Sequence, residues 1–166
     1  MKRQKGFSLI ELLIVVAIIL IIAAIAIPNL MRAKMAANEA SAVGSVRTIV
    51  TGEISYNSAG WTTGNPPAPI GFSVALADLG GTNCAPDATH TCLIDNILAQ
   101  GQKSGYRFPY TSAAGAGGTV LNTFTIGGRP VTFNQTGVRS FFADESGVIR
   151  ATNANAAATV NDPPLS

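Results

Sequence analysis

Few side chains in this sequence stand at spacings that could do chemistry. Cys84 and Cys92 lie eight positions apart in CAPDATHTC, with the sole histidine, His90, between them. Two thiols and one imidazole lack the fourth donor of a structural zinc site. In an oxidising compartment the two thiols close a short loop instead, which stabilises a fold by about 2.6 kcal/mol in the chain-entropy model. Asp144 and Glu145, in DESG, are weak calcium candidates: two carboxylates fall short of the about six to eight oxygens calcium takes, unless backbone carbonyls contribute. The simpler reading is a solvated turn. A single histidine leaves Ser-His-Asp chemistry to one loop residue, and the sequence contains no glycine-rich phosphate loop and no paired metal motif. The expectation is a protein that is not an enzyme and carries no cofactor and no metal.

One further carboxylate stands where solubility alone would not put it. Residues 7 to 30 read FSLIELLIVVAIILIIAAIAIPNL, with an unbroken apolar run from Leu12 to Ile27. At about 1.5 Å per residue a helix from Phe7 to Ile27 spans roughly 31 Å, close to the hydrocarbon thickness of a bilayer. A carboxylate near the bilayer centre costs on the order of 2.5 to 3.5 kcal/mol, and less near an end, so Glu11 needs a partner. No Lys or Arg lies between Lys5 and Arg32. The expected partner is a positive charge near the start of an identical neighbouring helix.

The stretch Lys5 to Ile14, KGFSLIELLI, followed by the long apolar run and Pro28, resembles the start of a type IV prepilin or of a type II secretion pseudopilin. The resemblance covers only about the first thirty to forty residues. It implies a leader, residues 1 to 6, removed between Gly6 and Phe7 by a prepilin peptidase that also methylates the new amino terminus. It further implies that Glu11 is the family's glutamate, that the helix can melt near Pro28 within a filament, and that an inner-membrane assembly platform handles the subunit. Some secretion pseudopilins of this type bind calcium through a late acidic loop, the position of Asp144 and Glu145. The opening stretch also fits an ordinary secretory signal cut after Ala26, or a plain anchor, but neither needs Glu11 or the Gly6-Phe7 junction.

Composition agrees with an assembling subunit. The formal charge is +2, but three of the eleven basic residues, Lys2, Arg3 and Lys5, lie in the leader, leaving eight against nine acidic ones. A near-neutral mature chain gives no electrostatic footprint for nucleic acid. Only 12% of residues are charged, while Gly and Pro number 17 and 9, which suits a surface covered by copies of itself, although a glycine-rich loop domain has the same composition. The basic leader should stay cytoplasmic and place the head outside, in the inner membrane before assembly and in a cell-surface pilus or periplasmic pseudopilus after it.

The fold class expected is α+β: a long amino-terminal helix, apolar in its first half and amphipathic in its second, packed on a small antiparallel sheet. Pro28 removes a helical hydrogen bond and should kink or loosen the rod. Residues 31 to 58 read as the amphipathic half, with Ala36, Ala40, Val43, Val46 or Arg47, Val50 and Ile54 on one face. The head spans 59 to 150, with TTGNPPAPIG as loop. Short helices are expected at Val74 to Leu79, capped by Ser73, and at Leu93 to Ala99. Strands are expected at Tyr106 to Tyr110, Leu121 to Ile126, and in a hairpin from Arg139 to Ala143 and Val148 to Arg150. Residues 151 to 166 should form an exposed, poorly anchored tail.

Three functions fit these features: the subunit of a type IV pilus-like filament, a homo-oligomer joined through its first helix; a pseudopilin forming a periplasmic piston for protein export; or a minor pilin that binds a ligand or DNA. The last is often without the family's glutamate when it starts a tip, so Glu11 argues against it.

Overall fold

The computed structural model describes residues 7–64, 68–81 and 87–165. The chain divides into two units, one ending at Lys34 and one running from Met35. Helix α1, Leu9–Ser58, contributes to both. Its first part, in the first unit, is apolar enough to cross a membrane, with a mean hydropathy of 3.3 over its best window and none of that window buried. Helical backbone continues through Pro28.

In the second unit α1 carries the core. Its buried positions Glu39, Ala42, Val46, Ile49, Glu53 and Tyr56 recur at steps of three and four, the spacing of one helix face. This face is rotated from the one expected. Ala36, Ala40, Arg47 and Ile54 are exposed, while Val46 and Val50 are buried. Hydropathy misplaces the face because two of the six inward positions are glutamates, which any apolar count assigns to solvent. α1 ends at Ser58, where Gly60 adopts φ 67° and donates its N–H to Asn57.

Beyond α1, strands β1, Thr62–Thr63, and β2, Ala68–Pro69, pair antiparallel inside the stretch expected to be loop. A 3₁₀ turn follows at Leu76–Leu79. The helix expected from Val74 with a Ser73 cap does not form, because Ser73 is drawn into the core by Glu53. Helix α2, Asn96–Ala99, is shorter than expected, as Asp95 takes the N-cap and accepts from Leu98 N–H at 3.0 Å.

Strands β3, Gln102–Lys103, β4, Tyr106–Arg107, β5, Tyr110–Ala114, β6, Leu121–Pro130, β7, Ser140–Asp144, and β8, Arg150–Thr152, form an antiparallel sheet in the order β3-β4-β6-β7-β8, with β5 also on β6. Tyr106 to Tyr110 is therefore two strands rather than one. Pro109 has no N–H for the ladder, and Phe108 turns its own N–H to the carbonyl of Gly101 at 2.8 Å. Both pieces pair with the single long β6, β4 near Arg129 and β5 from Ile126 to Leu121. Phe72, Phe124, Ile126, Tyr106 and Phe141 fill the space between the sheet and α1.

The end of the chain is tied down. Residues 153–157 are exposed, but Ala151 donates to Pro163, Leu165 donates to Ile149, and the Arg150 guanidinium reaches the Asp162 carbonyl at 3.0 Å. Ala158 is buried. A composition poor in large apolar residues does not register these backbone bonds, so the tail is better anchored than it reads.

Candidate assembly segment

Ser8 precedes the first helical residue, Leu9, and Glu11 sits three positions on. Ser8 donates its backbone N–H to Glu11 Oε2 at 2.9 Å. This is one half of a capping box: the carboxylate satisfies an otherwise orphaned donor of the first turn and faces the positive end of the helix dipole. The S-x-x-E signal was present in the sequence but overshadowed by the missing cation. Glu11 thus has a local neutral partner and no described counter-charge. Phe7 is 82% exposed, and the large side chains from Leu9 to Leu20 are all exposed. Gly6, on the other side of the expected cut, lies outside the described residues.

The opening 27 residues match the family model described as the prokaryotic N-terminal methylation motif. In this segment the chain is similar to the start of type IV pilins. An opening segment is 62% identical over 39 residues to the type IV wide pilus major component PilA4 of Thermus thermophilus, covering 24% of this chain and 30% of that one. It is 45% identical over 56 residues to the type IV major pilin protein PilA of Myxococcus xanthus, covering 34% of this chain and 26% of that one. The matched segments thus span less than a third of the length of these curated relatives. No solved structure matches the chain.

Two buried carboxylates, neither anticipated as functional, tie the head to α1. Glu39 accepts from the backbone N–H groups of Val138 at 2.8 Å and Arg139 at 3.1 Å, and from Arg139 Nε at 2.8 Å. Burial alone would raise its pKa, but these donors and the guanidinium outweigh burial and hold it below the ordinary value. Next to it, Asn38 donates to the Thr136 carbonyl at 2.9 Å, so one helix turn clamps the connection leading into β7. Tyr106 closes the same corner by donating its hydroxyl to the Arg139 carbonyl at 2.9 Å.

Glu53 is fully buried and has no cation among its described partners. Ser73 gives it both its backbone N–H and its hydroxyl, and Tyr110 donates to the Ser73 carbonyl at 3.0 Å. Burial raises the Glu53 pKa, against the opposing effect of the Ser73 donors. A raised carboxyl pKa makes the native state hold its proton longer than the unfolded chain does. Stability from this group is therefore complete below the ordinary value of 4.5 and declines as the pH rises through the folded value. Glu53→Gln should abolish that decline, so thermal unfolding of the full chain in detergent between pH 4 and 8 should show a flatter profile than wild type. An unchanged slope would contradict this.

The other sequence candidates remain apart from one another. Asp144 Oδ1 is occupied by the N–H and hydroxyl of Ser146, an Asx-type turn, while Glu145 is exposed beside it. Among the described residues no three His, Cys, Asp or Glu side chains gather as metal ligands. His90 lies 3.2 Å from Asp87 at the surface. Cys84 lies outside the described residues, so its pairing with Cys92 stays an expectation.

Proposed function

We propose that this chain is a structural subunit of a type IV pilus-like filament, stored in the membrane through α1 and polymerised by that same helix. The observation that carries the proposal is the prepilin segment itself: an exposed apolar rod with one carboxylate, Glu11, at its third helical position. Cleavage between Gly6 and Phe7 creates an α-amino group, methylated by the same peptidase. That amine stands four residues before the carboxylate in sequence, and the same two charges recur on each copy.

Pairing Glu11 with the Phe7 amine of a neighbour supplies a Coulomb energy of roughly 4 kcal/mol at about 4 Å and an effective dielectric near 20, before desolvation is subtracted. The local bond from Ser8 lowers the cost of burying Glu11 while it waits, so the pair acts mainly on register. Cohesion comes from apolar helices joined in a heterologous contact that does not close on itself, the geometry of a filament. Both named relatives are pilus components, which favours a pilus over a secretion piston.

Shearing fibres from cells that make this chain and sequencing their most abundant subunit tests the proposal. The chain should be found there, and fibres lacking it would oppose the reading. Gly6→Asp should leave an uncut, membrane-bound precursor on an immunoblot. Normal maturation of that variant would remove the peptidase from the scheme.

A further inference from the structure

Arg107 and Arg129 are direct cross-strand partners on β4 and β6. Both are exposed, while Tyr106, Phe108 and Gly128 beside them are buried, so the two guanidinium groups share the solvent face of the sheet. They line one cleft of about 570 Å³ together with Pro109, Phe133 and Asn155. Side chains directly opposite one another in an antiparallel pair lie about 5 Å apart at Cβ, and like charges there repel. Neither guanidinium makes a hydrogen bond or ion pair with any described residue. The head therefore holds an uncompensated double positive charge at a concave site.

The carboxylates show the complementary vacancy. Eight of the nine acidic side chains have a described hydrogen-bond donor: Ser8 for Glu11, Arg139 for Glu39, Ser73 for Glu53, and equivalents for Asp78, Asp87, Asp95, Asp144 and Asp162. Glu145 is the remaining one, exposed at the turn after β7. Asp144 stands opposite Thr125 on β6, four residues from Arg129 on that same strand. At about 3.4 Å per residue the two sites are on the order of 15 Å apart along the sheet. One chain cannot join them. A stack of chains can.

We infer that the Arg107–Arg129 pair receives the Glu145 turn of a neighbouring copy, so that heads join head to tail in addition to the helices. This rests on the filament reading above. A carboxylate set between two guanidinium groups gains charge-assisted hydrogen bonds, and it relieves the cross-strand repulsion. Because the site occurs at each subunit junction, even a modest gain per contact is repeated along the fibre.

The test compares fibre mass sheared from cells making the full chain as wild type, as Glu145→Arg, as Arg107→Glu with Arg129→Glu, and as all three changes together. Each partial variant should lose fibre mass several-fold, and the combined reversal should recover most of it. Arg107→Lys with Arg129→Lys, which keeps the charge, should stay near wild type. Wild-type fibre mass from the partial variants, or a combined variant no better than its parents, would overturn the inference and leave the filament reading intact. Normal fibres together with lost binding of a free polyanion by the arginine variants would reassign the pair to that ligand and overturn it equally. Wild-type fibres without this chain would remove the filament reading and the inference with it.

Discussion

Replacing Glu11 with alanine should leave a chain that inserts and is cut normally but yields few fibres. The substitution removes a costly group from an apolar rod, so insertion should improve slightly; about 2.5 to 3.5 kcal/mol is the ceiling for a mid-membrane carboxylate. It also removes the Ser8 cap, worth on the order of 1 kcal/mol or less at an exposed helix start. Neither effect opposes assembly. On the proposed filament reading, what is lost is the charge that would pair with a neighbour's amine, and with it the register of the joint. Sheared fibre mass, normalised to mature subunit in the membrane fraction, measures this. Wild-type yield from the mutant would separate Glu11 from assembly and leave it as a helix cap alone.

The second large effect is expected at Glu39. Glu39→Ala leaves the Val138 and Arg139 N–H groups and the Arg139 guanidinium without their acceptor. Stranding donors of this kind costs about 3 kcal/mol, with the guanidinium's partial exposure keeping the figure at the lower end for a broken buried pair. For a head of this size that corresponds to a fall in Tm on the order of 10 °C. The pH dependence carries the opposite sign to Glu53. Because the folded pKa of Glu39 is lowered from 4.5, its contribution is present above that value and is lost as pH falls through the folded one. Wild type and Glu39→Ala should therefore converge in acid and diverge toward neutrality when unfolding is followed in detergent. A constant gap across pH 3 to 7 would contradict the assignment.

These two glutamates also mark where the sequence was opaque. The apolar half of α1, the helix end near Ser58 and the strand character of Leu121 to Ile126 were legible, because each rests on a local pattern: an unbroken apolar run, a Gly60 stop, and β-branched residues. The inward face of α1 was not, since Glu39 and Glu53 occupy core positions through partners about 100 and 20 residues away. Nothing local announces such pairings. Ser73 misled in the same way, reading as a cap where it is a buried donor. The split at Pro109 was half visible: proline predicts an interrupted ladder, but only the length of β6 shows that both fragments share one neighbour. The anchoring of the tail depends on backbone bonds, for which side-chain composition carries no signal.

The amino terminus of the subunit in sheared fibres decides most directly whether α1 is a polymerisation rod made by prepilin processing. Intact mass and terminal sequencing should give a chain that starts at Phe7 with one added methyl group and retains Glu11. A chain that starts at Ile27 or Asn29 would mean that the apolar stretch is discarded as an export signal, and no joint between Glu11 and a neighbour's amine could exist.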